Sequence, residues 1–438
     1  PFLRYINNYM KIAILGSGGR EHAIAMQIAK SHNLDELYCI PGNAGTNSIN
    51  KVAKVYNVNL DINNFEILGK FIDEYKIDLV IVGPEKPLVE GVVDFLSKKK
   101  IRIFGPNKNV SQLEGSKIFT KKICEKYNIP TSKFGIFASN EDACKYLENA
   151  NMPIVVKADG LAAGKGVYIC EDIKSAKSAV NEIFNGKFGK ANQILIEEFL
   201  EGDEMSYFVI SDGKTFKRFN TAQDHKRVGE EDKGKNTGGM GAYSPSGLIN
   251  KDLDSRILDR IVKPTFAAIK DMGETYKGFL YVGLMIKNNN PYLIEYNVRM
   301  GDPECQTILP LLKTDLLDLI IACCDNKLKE QNIDWYKKKS LSIVLCSKGY
   351  PENYKKNIEI PNLNNIELDE NIFLYHAGTK ILDGTVHAIG GRVLNFVSIS
   401  DNYLDSRNKA IDQIKKLNWK NGFYRSDIGY KVIEKWEL

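Results

Sequence analysis

The chain has 438 residues, 43% of them hydrophobic and 26% charged, with a formal net charge of +5. That length suggests roughly three domains, and the composition fits a globular enzyme or binding protein. The charge is too small and its basic residues too scattered for nucleic-acid binding, and no apolar run reaches the roughly 18 residues of a membrane span. The runs Lys98–Lys100 and Lys337–Lys339 read as solvated surface. The N-terminus lacks a signal peptide's apolar core and cleavage site, and the nine residues before Met10 read as an extension. Eight cysteines without CxxC or zinc spacing read as reduced thiols of a cytoplasmic protein.

From Met10 the pattern alternates. "KIAILG" predicts a buried strand, "REHAIAMQIAKS" a helix and "ELYCIPG" a second strand. "NFEILGKFIDEYKI" (helix), "DLVIVGP" (strand), "VEGVVDFLSKKK" (helix) and "IRIFGP" (strand) follow. Apolar strands alternating with helices imply a parallel sheet covered on both faces, with ligands beyond the carboxyl ends of its strands. From about residue 113 the character changes. "EGSKIFTKKICEKYNI" predicts one helix ended by Pro130, then "NEDACKYLENA" a helix and "PIVVKAD" a strand, leading into a glycine loop. "GVYICED", the helix "DIKSAKSAVNEIF" and the strand "QILIEEFL" complete a small α+β unit. A glycine-rich mixed stretch runs to about 330. Strands return in "LSIVLCSKG", "IFLYHAGTKI" and "TVHAIGGRVLNFVSI", with a turn at Asp383-Gly384, and a last helix is expected near 401–417.

Two loops invite phosphate. In "VVKADGLAAGKGVYIC" (155–170), Gly160 and Gly164 enclose three residues, Gly166 stands where a Walker loop has its hydroxyl, and a strand follows instead of a helix. A Walker loop is excluded. Strand, glycine turn, strand is a hairpin tip whose amides can fold over phosphates, with Lys157 as a point charge alongside. A plain surface hairpin is the alternative. In "GSGGREH" (16–22) Glu21 occupies the sixth position of the dinucleotide fingerprint, where glycine is required. Gly18, Gly19 and the helix start suit a phosphate monoester instead, with Arg20 beside it. A structural strand–helix turn is an equal reading of the same residues.

Taken together, the chain resembles the glycinamide ribonucleotide synthetase (phosphoribosylamine–glycine ligase) family of the ATP-grasp superfamily. The resemblance is carried by "GSGGREHA", "PGNAGT", "DLVIVGPEKPLVEGVVD", "FGP", "QLEGSKIFTK", "VVKADGLAAGKGV", "IEEFLEGDE", "QDHKRVG", "NTGGMGAYSP", "GFLYVGLMI", "LIEYNVRMGDPE", "YHAGTK" and "GGRVL", spread over essentially the whole chain. It implies an α/β and α+β multidomain fold: a Rossmann-like N-terminal domain at 10–112, a small ATP-grasp lid at 113–196, a central half carrying metal and substrate sites at 197–335, and a β-rich C-terminal domain at 336–438. It implies ATP-dependent joining of glycine to 5-phosphoribosylamine through a glycyl phosphate, in purine biosynthesis. Another ATP-grasp ligase is the first alternative, and an NAD-dependent oxidoreductase or a non-catalytic nucleotide sensor are weaker ones.

The resemblance also assigns residues. Lys117, Lys157 and the hairpin Gly164, Lys165, Gly166 are expected on the ATP phosphates. Glu197, Glu198, Phe199 and Leu200 are expected at the adenine, and Glu204 on the ribose. Glu295 and Asn297, at i and i+2 of a strand, present hard oxygens on one face, of the kind magnesium or manganese prefers. The preceding strand "VGLMI" offers no further carboxylate. Arg299 is expected on glycine or its acyl phosphate, with a salt bridge to Asp302 or Glu304 as the rival. Asp224, His225 and Lys226 open a glycine-rich segment, 224–243, expected as a mobile loop, and lie near the reacting groups. Lys157, Arg299 and Asp224 are the catalytic candidates. Gly18, Gly19, Arg20, Asn43, Gly45, Thr46, Pro84 and Glu85 follow strand ends and are expected to form the phosphoribosylamine crevice. His376 and His387 read as structural. Small-molecule substrates are the expected partners, with no nucleic acid or membrane, and a monomer is expected, with a weak homodimer as alternative.

Overall fold

A computed structural model describes residues 9–51, 53–161 and 166–436. The alternating N-terminal segment forms β1 (Met10–Gly16), β2 (Leu34–Pro41), β3 (Val55–Asn57), β4 (Leu79–Val82) and β5 (Arg102–Phe104). They pair in parallel in the order β3-β2-β1-β4-β5. Ile12, Ile14, Leu15, Val80 and Ile81 are all but inaccessible, as strands covered on both faces require. The order turns at β1, so the segments leaving β1 and β4 flank the switch point where such sheets bind ligands. The helix expected after β4 is broken at Gly91 (φ +99°) into Glu85–Glu90 and Val92–Leu96.

The helix expected over 114–129 is also two. Lys108–Gly115 ends at Ser116, whose side chain accepts from the Phe119 amide and caps a second helix, Lys117–Lys126. A residue good at capping competes with helix continuation. The break turns Glu114 and Lys117 toward the same space. The lid that follows is an antiparallel sheet, β6 (Phe134–Phe137), β7 (Ile154–Ala158), β8 (Val167–Cys170) and β9 (Ile194–Glu198), in the order β6-β9-β7-β8. Two helices, Asn140–Leu147 and Ile173–Phe184, pack on it through Ala143, Leu147, Val180 and Ile183.

The rest of the chain supplies β10 (Asp203–Asp212), β11 (Phe216–Asp224), β12 (Arg227–Gly229), β13 (Lys233–Asn236), β14 (Gly241–Ser244), β15 (Lys277–Lys287) and β16 (Asn290–Asn297). After two helices come β17 (Lys339–Ser347), β18 (Ile358–Glu359), β19 (Ile372–His376), β20 (Thr379–Leu382), β21 (Thr385–Ala388), β22 (Arg392–Ser400) and β23 (Gly422–Phe423). Most of these strands form one continuous sheet, β16-β15-β10-β11-β14-β17-β22-β19, with β23 on β17, while β12-β13 and β18-β21-β20 form small sheets of their own. The short strand β14 bridges the two halves, pairing Asp224 with Ala242 on one side and Gly241 with Ile343 on the other. The turn expected at Asp383-Gly384 joins β20 to β21, with both residues at positive φ (48° and 79°). The helix expected near 401–417 is Tyr403–Leu417, but it is not the last: a short helix, Tyr430–Trp436, follows it.

Candidate active site

The N-terminal sheet, the lid and the continuous sheet converge on one cavity of about 880 Å³. On its lid side stand Lys117, Lys121, Lys157, Gly166, Glu197, Glu198, Phe199 and Leu200. Gly164 and Lys165 lie outside the described residues. The hairpin is seated by Asp159, which accepts from the Ser116 hydroxyl and the Ile118 amide, and by Lys117 Nζ donating to the Gly160 carbonyl at 2.9 Å. Phe199 keeps 36% of its surface exposed on the cavity wall, as do Leu161 (43%) and Ile169 (39%). These apolar surfaces, with the turn backbone of Phe199 and Leu200 free of hydrogen bonds among the described residues, offer a flat ring both stacking and edge contacts.

Glu197, expected at the adenine edge, lines the cavity but its carboxylate is engaged by protein partners. It is 4% exposed and held between two lysines: Oε2 lies 2.9 Å from Lys157 Nζ, Oε1 lies 3.4 Å from Lys121 Nζ, and the Ser132 hydroxyl donates to Oε2. A buried carboxylate so placed neutralises its neighbours. Despite burial, Lys157 and Lys121 hold its pKa below the ordinary value, while burial lowers that of Lys121. Lys121 was missed by sequence reading; its spacing, i+4 from Lys117 on the same helix, is the signal that would have found it. Glu204, the second residue of β10, stands at the wall and pairs with Lys226 at 2.7 Å; that ammonium holds its carboxyl below the usual range.

Across the cavity, β15 and β16 place Glu295 opposite Gly283 and Asn297 opposite Tyr281. Both side chains line the cavity and neither has a hydrogen-bond partner among the described residues. Two unpaired hard oxygens on one face fit a magnesium- or manganese-type ion whose remaining positions go to water and phosphate. No cluster of three or more His, Cys, Asp or Glu side chains suited to a metal occurs among the described residues, so any ion there would rest on this sparse pair.

Arg299 follows β16 and lines the same wall, but its fork is engaged. Nη2 donates to Glu114 Oε1 at 2.6 Å and Nε to Glu85 Oε2 at 3.2 Å. The expected rivals Asp302 and Glu304 are not its partners: Asp302 pairs with Arg392 at 3.3 Å. Glu114 also accepts from the Val298 amide, so one carboxylate grips both the backbone and the side chain just beyond β16. Burial raises its pKa to about 7, against the pull of Arg299.

Asp224 lies at the end of β11. Its carboxyl has no hydrogen-bond partner among the described residues; burial raises its pKa, Lys226 opposes that, and the buried Glu304 adds to it. His225 is 4% exposed, and its Nε2 lies 3.0 Å from the Gly429 amide. Its Nδ1 faces Asp232 at 3.1 Å and Arg425 Nη2 at 3.3 Å. Both imidazole nitrogens are thus committed. The 224–243 segment, expected as a mobile loop, is the β12–β13 hairpin anchored to residues 425–431; Gly238 and Gly239 are needed because a Cβ there would crowd Arg392 and Pro303.

Of the expected phosphoribosylamine crevice, Arg20 and Glu85 line the cavity. Arg20 is 7% exposed, paired through Nε with Glu21 at 2.6 Å and through Nη1 with the Met300 carbonyl at 3.1 Å. Glu21, anomalous for a dinucleotide loop, fits because Gly16 and Gly83 have no Cβ to collide with it, and it accepts from the Gly18 amide at 2.8 Å. Gly18, Gly19, Pro84, Asn43, Gly45 and Thr46 are not on the cavity wall. Gly19 is packed under Gln306 and Asn395, where a Cβ would clash, and Pro84 caps the helix Glu85–Glu90. Asn43 accepts from the Gly45 and Thr46 amides and donates to the Ser17 and His376 carbonyls, so the three residues are occupied in holding the strand end. His376 is buried, its amide donating to His22 Nδ1.

A parallel N-terminal domain, a hinged four-stranded lid and an antiparallel half bearing a hard-oxygen pair define an ATP-grasp ligase, a fold that implies use of ATP and a divalent metal. Family profiles match nearly the whole chain: phosphoribosylglycinamide synthetase N domain over 10–114, its ATP-grasp (A) domain over 115–305 and its C domain over 340–431. The chain belongs to the phosphoribosylglycinamide synthetase family. It is 44% identical to the phosphoribosylamine–glycine ligase of Brucella melitensis over 427 residues, 97% of this chain and 99% of that one. It is 31% identical to the crystal structure of the phosphoribosylamine–glycine ligase of Thermotoga maritima, with a TM-score of 0.82 over 96% of this chain and all of the other. The biotin carboxylase domain of Hydrogenobacter thermophilus 2-oxoglutarate carboxylase, solved with magnesium ADP and bicarbonate, is 17% identical with a TM-score of 0.70 over 93% of this chain and 89% of the other, a likeness of fold alone.

Proposed function

We propose that the chain uses ATP to ligate glycine to 5-phosphoribosylamine, giving glycinamide ribonucleotide, ADP and phosphate. The observation that carries this reading is the continuity of one cavity. The switch-point residues Arg20 and Glu85, the nucleotide-side lysines and the Glu295–Asn297 pair share its wall. A sugar phosphate, an amino acid and a nucleoside triphosphate can therefore meet without leaving it.

The chemistry needs such a meeting. Hydroxide is a poor leaving group, so a free carboxylate must be activated. A carboxylate oxygen of glycine attacks the γ-phosphorus, ADP departs, and the resulting glycyl phosphate is attacked by the phosphoribosylamine nitrogen, with loss of a proton and phosphate. Lys117 and Lys157 lie against the phosphates and offset their charge as two anions approach. The 166-end of the hairpin closes over them and limits water. Phe199 and Leu200 receive the adenine, and Glu204 the ribose. Arg299, fixed by Glu114 and Glu85, faces the glycine carboxylate. Asp224 and Lys226 border the reacting centre, while His225, with both nitrogens committed, serves as a fixed support. Glu295 and Asn297 would hold magnesium, with manganese as a substitute, which supplies charge neutralisation on the triphosphate. Arg20 and Glu85 take the phosphate and ribose of phosphoribosylamine.

We place the reaction in the cytoplasm and expect a monomer; eight unpaired thiols, and no helix among the described residues long and apolar enough to cross a membrane, support that placement. A coupled ADP-release assay tests the function. Sustained ADP release should need glycine and phosphoribosylamine together. Equal release with either omitted, or with another amino acid in place of glycine, would overturn it.

A further inference from the structure

We infer that Arg425 is a positioning residue for the ligation: from the C-terminal domain, outside the cavity wall, it fixes the segment that carries Lys226 over the reacting groups. The inference rests on the function proposed above.

Arg425 is the largest fully buried side chain, 1% exposed. Its fork is filled. Nε and Nη2 hold the two oxygens of Asp427 at 2.8 Å each, and Nη1 donates to Asp232 Oδ1 at 2.8 Å and to the Arg227 carbonyl at 3.1 Å. Asp232 in turn receives His225 Nδ1, and the Gly429 amide fixes the other imidazole nitrogen. The side chains of residues 225–227 are therefore held from behind largely by residues 425–431, with Tyr430 and Lys431 joining Arg425 on Asp232, while the His225 backbone pairs with Gly241 and Met240. Lys226 is the next residue toward the cavity. Its carbonyl accepts from the Thr237 amide at 2.7 Å and its ammonium meets Glu204 at the wall. At the far end of the hairpin Arg392 repeats the device, donating to the Gly238 and Asp302 carbonyls at 2.7 Å each. A buried guanidinium with matched acceptors adds little net stability over an apolar replacement, but it fixes geometry in a way an apolar side chain cannot. Such geometry matters in this hairpin, because among the described residues β12 and β13 form a sheet only with each other and side chains from elsewhere must hold it.

The test uses the full chain and four variants: Arg425→Gln, Arg425→Lys, Asp232→Asn and Lys226→Met. Displacement by about 1 Å of a positioned group costs about 100-fold, so Arg425→Gln should lower kcat about 100-fold. The KM for phosphoribosylamine, bound on the far side of the cavity, should move by less than about threefold. Arg425→Lys keeps the charge without the fork and should recover only part of the loss. In the Lys226→Met background, Arg425→Gln should add less than about a twofold further loss, because both act through one group. Multiplicative losses, or a kcat for Arg425→Gln within about twofold of the parent, overturn the inference. Should Arg425→Gln fail to fold, Asp232→Asn removes the charge that joins Arg425 to His225 and Lys431 while leaving Arg425 paired with Asp427, and is read by the same criteria. Hydrogen exchange keeps the result separate from the functional reading. The Thr237 and Met240 amides, which close this segment, should exchange faster in Arg425→Gln while those of β10 and β15 do not; unchanged exchange also overturns it. A parent that releases no ADP with both substrates refutes the proposed reaction, and the exchange data still decide on Arg425.

Discussion

Glu197→Gln is the most direct probe of how the lid is held. The substitution keeps the side-chain volume and removes the one negative charge between Lys157 and Lys121, whose Nζ atoms lie 2.9 and 3.4 Å from it. Removing one partner of a buried ion pair costs about 3–5 kcal/mol. No cavity is created, and Lys121 keeps the Thr131 and Ser132 hydroxyls as acceptors, which argues for the lower end. A loss of about 3 kcal/mol is a roughly 150-fold rise in the opening constant of the lid. The chain has several units and will not unfold in one step, so the measurement is native-state hydrogen exchange at β7 and β9 amides such as Val156 and Ile196. The deficit should depend on pH. Burial already lowers the pKa of Lys121, and without Glu197 it falls further below its unfolded value of about 10.4. The unfolded chain then binds the proton more tightly, so stability rises with pH between the lowered folded pKa and the unfolded one, and the deficit shrinks from pH 7.5 toward 9.5. Saturating magnesium ATP, whose phosphates replace the missing charge, should stabilise the variant more than the parent. A deficit under about 1 kcal/mol, or one indifferent to pH and ATP, would refute the reasoning.

Glu295→Ala removes a hard oxygen from the pair on β16 and should abolish turnover in the ADP-release assay with the far-ultraviolet spectrum unchanged; near-normal release would remove the metal assignment. Arg20→Ala should raise the KM for phosphoribosylamine by at least about tenfold, as expected for a lost charged hydrogen bond, and leave that for ATP within about twofold. Equal weakening of both would contradict the crevice. Glu114→Gln should loosen Arg299 and raise the KM for glycine. Because the Glu114 pKa is raised to about 7 by burial, the parent should lose glycine affinity as pH falls from 8 to 6, and the variant should show a flat profile over that range. A parent profile as flat as the variant's would discard this role for Glu114.

The parts of the fold readable from sequence are those set by nearest neighbours. Apolar strands alternating with helices specify a parallel sheet, and β1 to β5 follow the segments read as strands, apart from β3. The hairpin β7–β8 is readable because its glycines stand between two β-branched runs. Helix interruptions were not. Ser116 and Gly91 sit in segments of adequate helical pattern, and only the tertiary demand to turn Glu114, Lys117 and Glu85 inward decides that the capping side chain and the positive φ prevail over continuation. The seam between the central and C-terminal halves is hidden for a related reason. β14 is four residues long, and its pairing with β17 joins Gly241 to Ile343, about a hundred positions away.

Charged residues show where local pattern stops informing. Glu197, Arg20 and Arg299 have the same side chains whether they face a substrate or a partner from another domain. Their sequence neighbourhoods suggested ligands, yet each carries an internal partner: Lys157 forty positions away, Glu21 next door, Glu114 at a separation of 185. Conversely Lys121, Glu114 and Arg425 drew no attention, because nothing local marks a charge as buried. Burial is what gives such a group its energetic weight, since an exposed pair is worth less than about 1 kcal/mol and a broken buried one several times that. In this chain three buried charges lie where separate units meet: Glu197 between lid and helix, Glu114 between that helix region and β16, Arg425 between the C-terminal domain and the β12–β13 hairpin. Each fixes one wall of a single cavity to another, so substitutions among them should disturb the approach of substrates before they disturb the fold of any one unit.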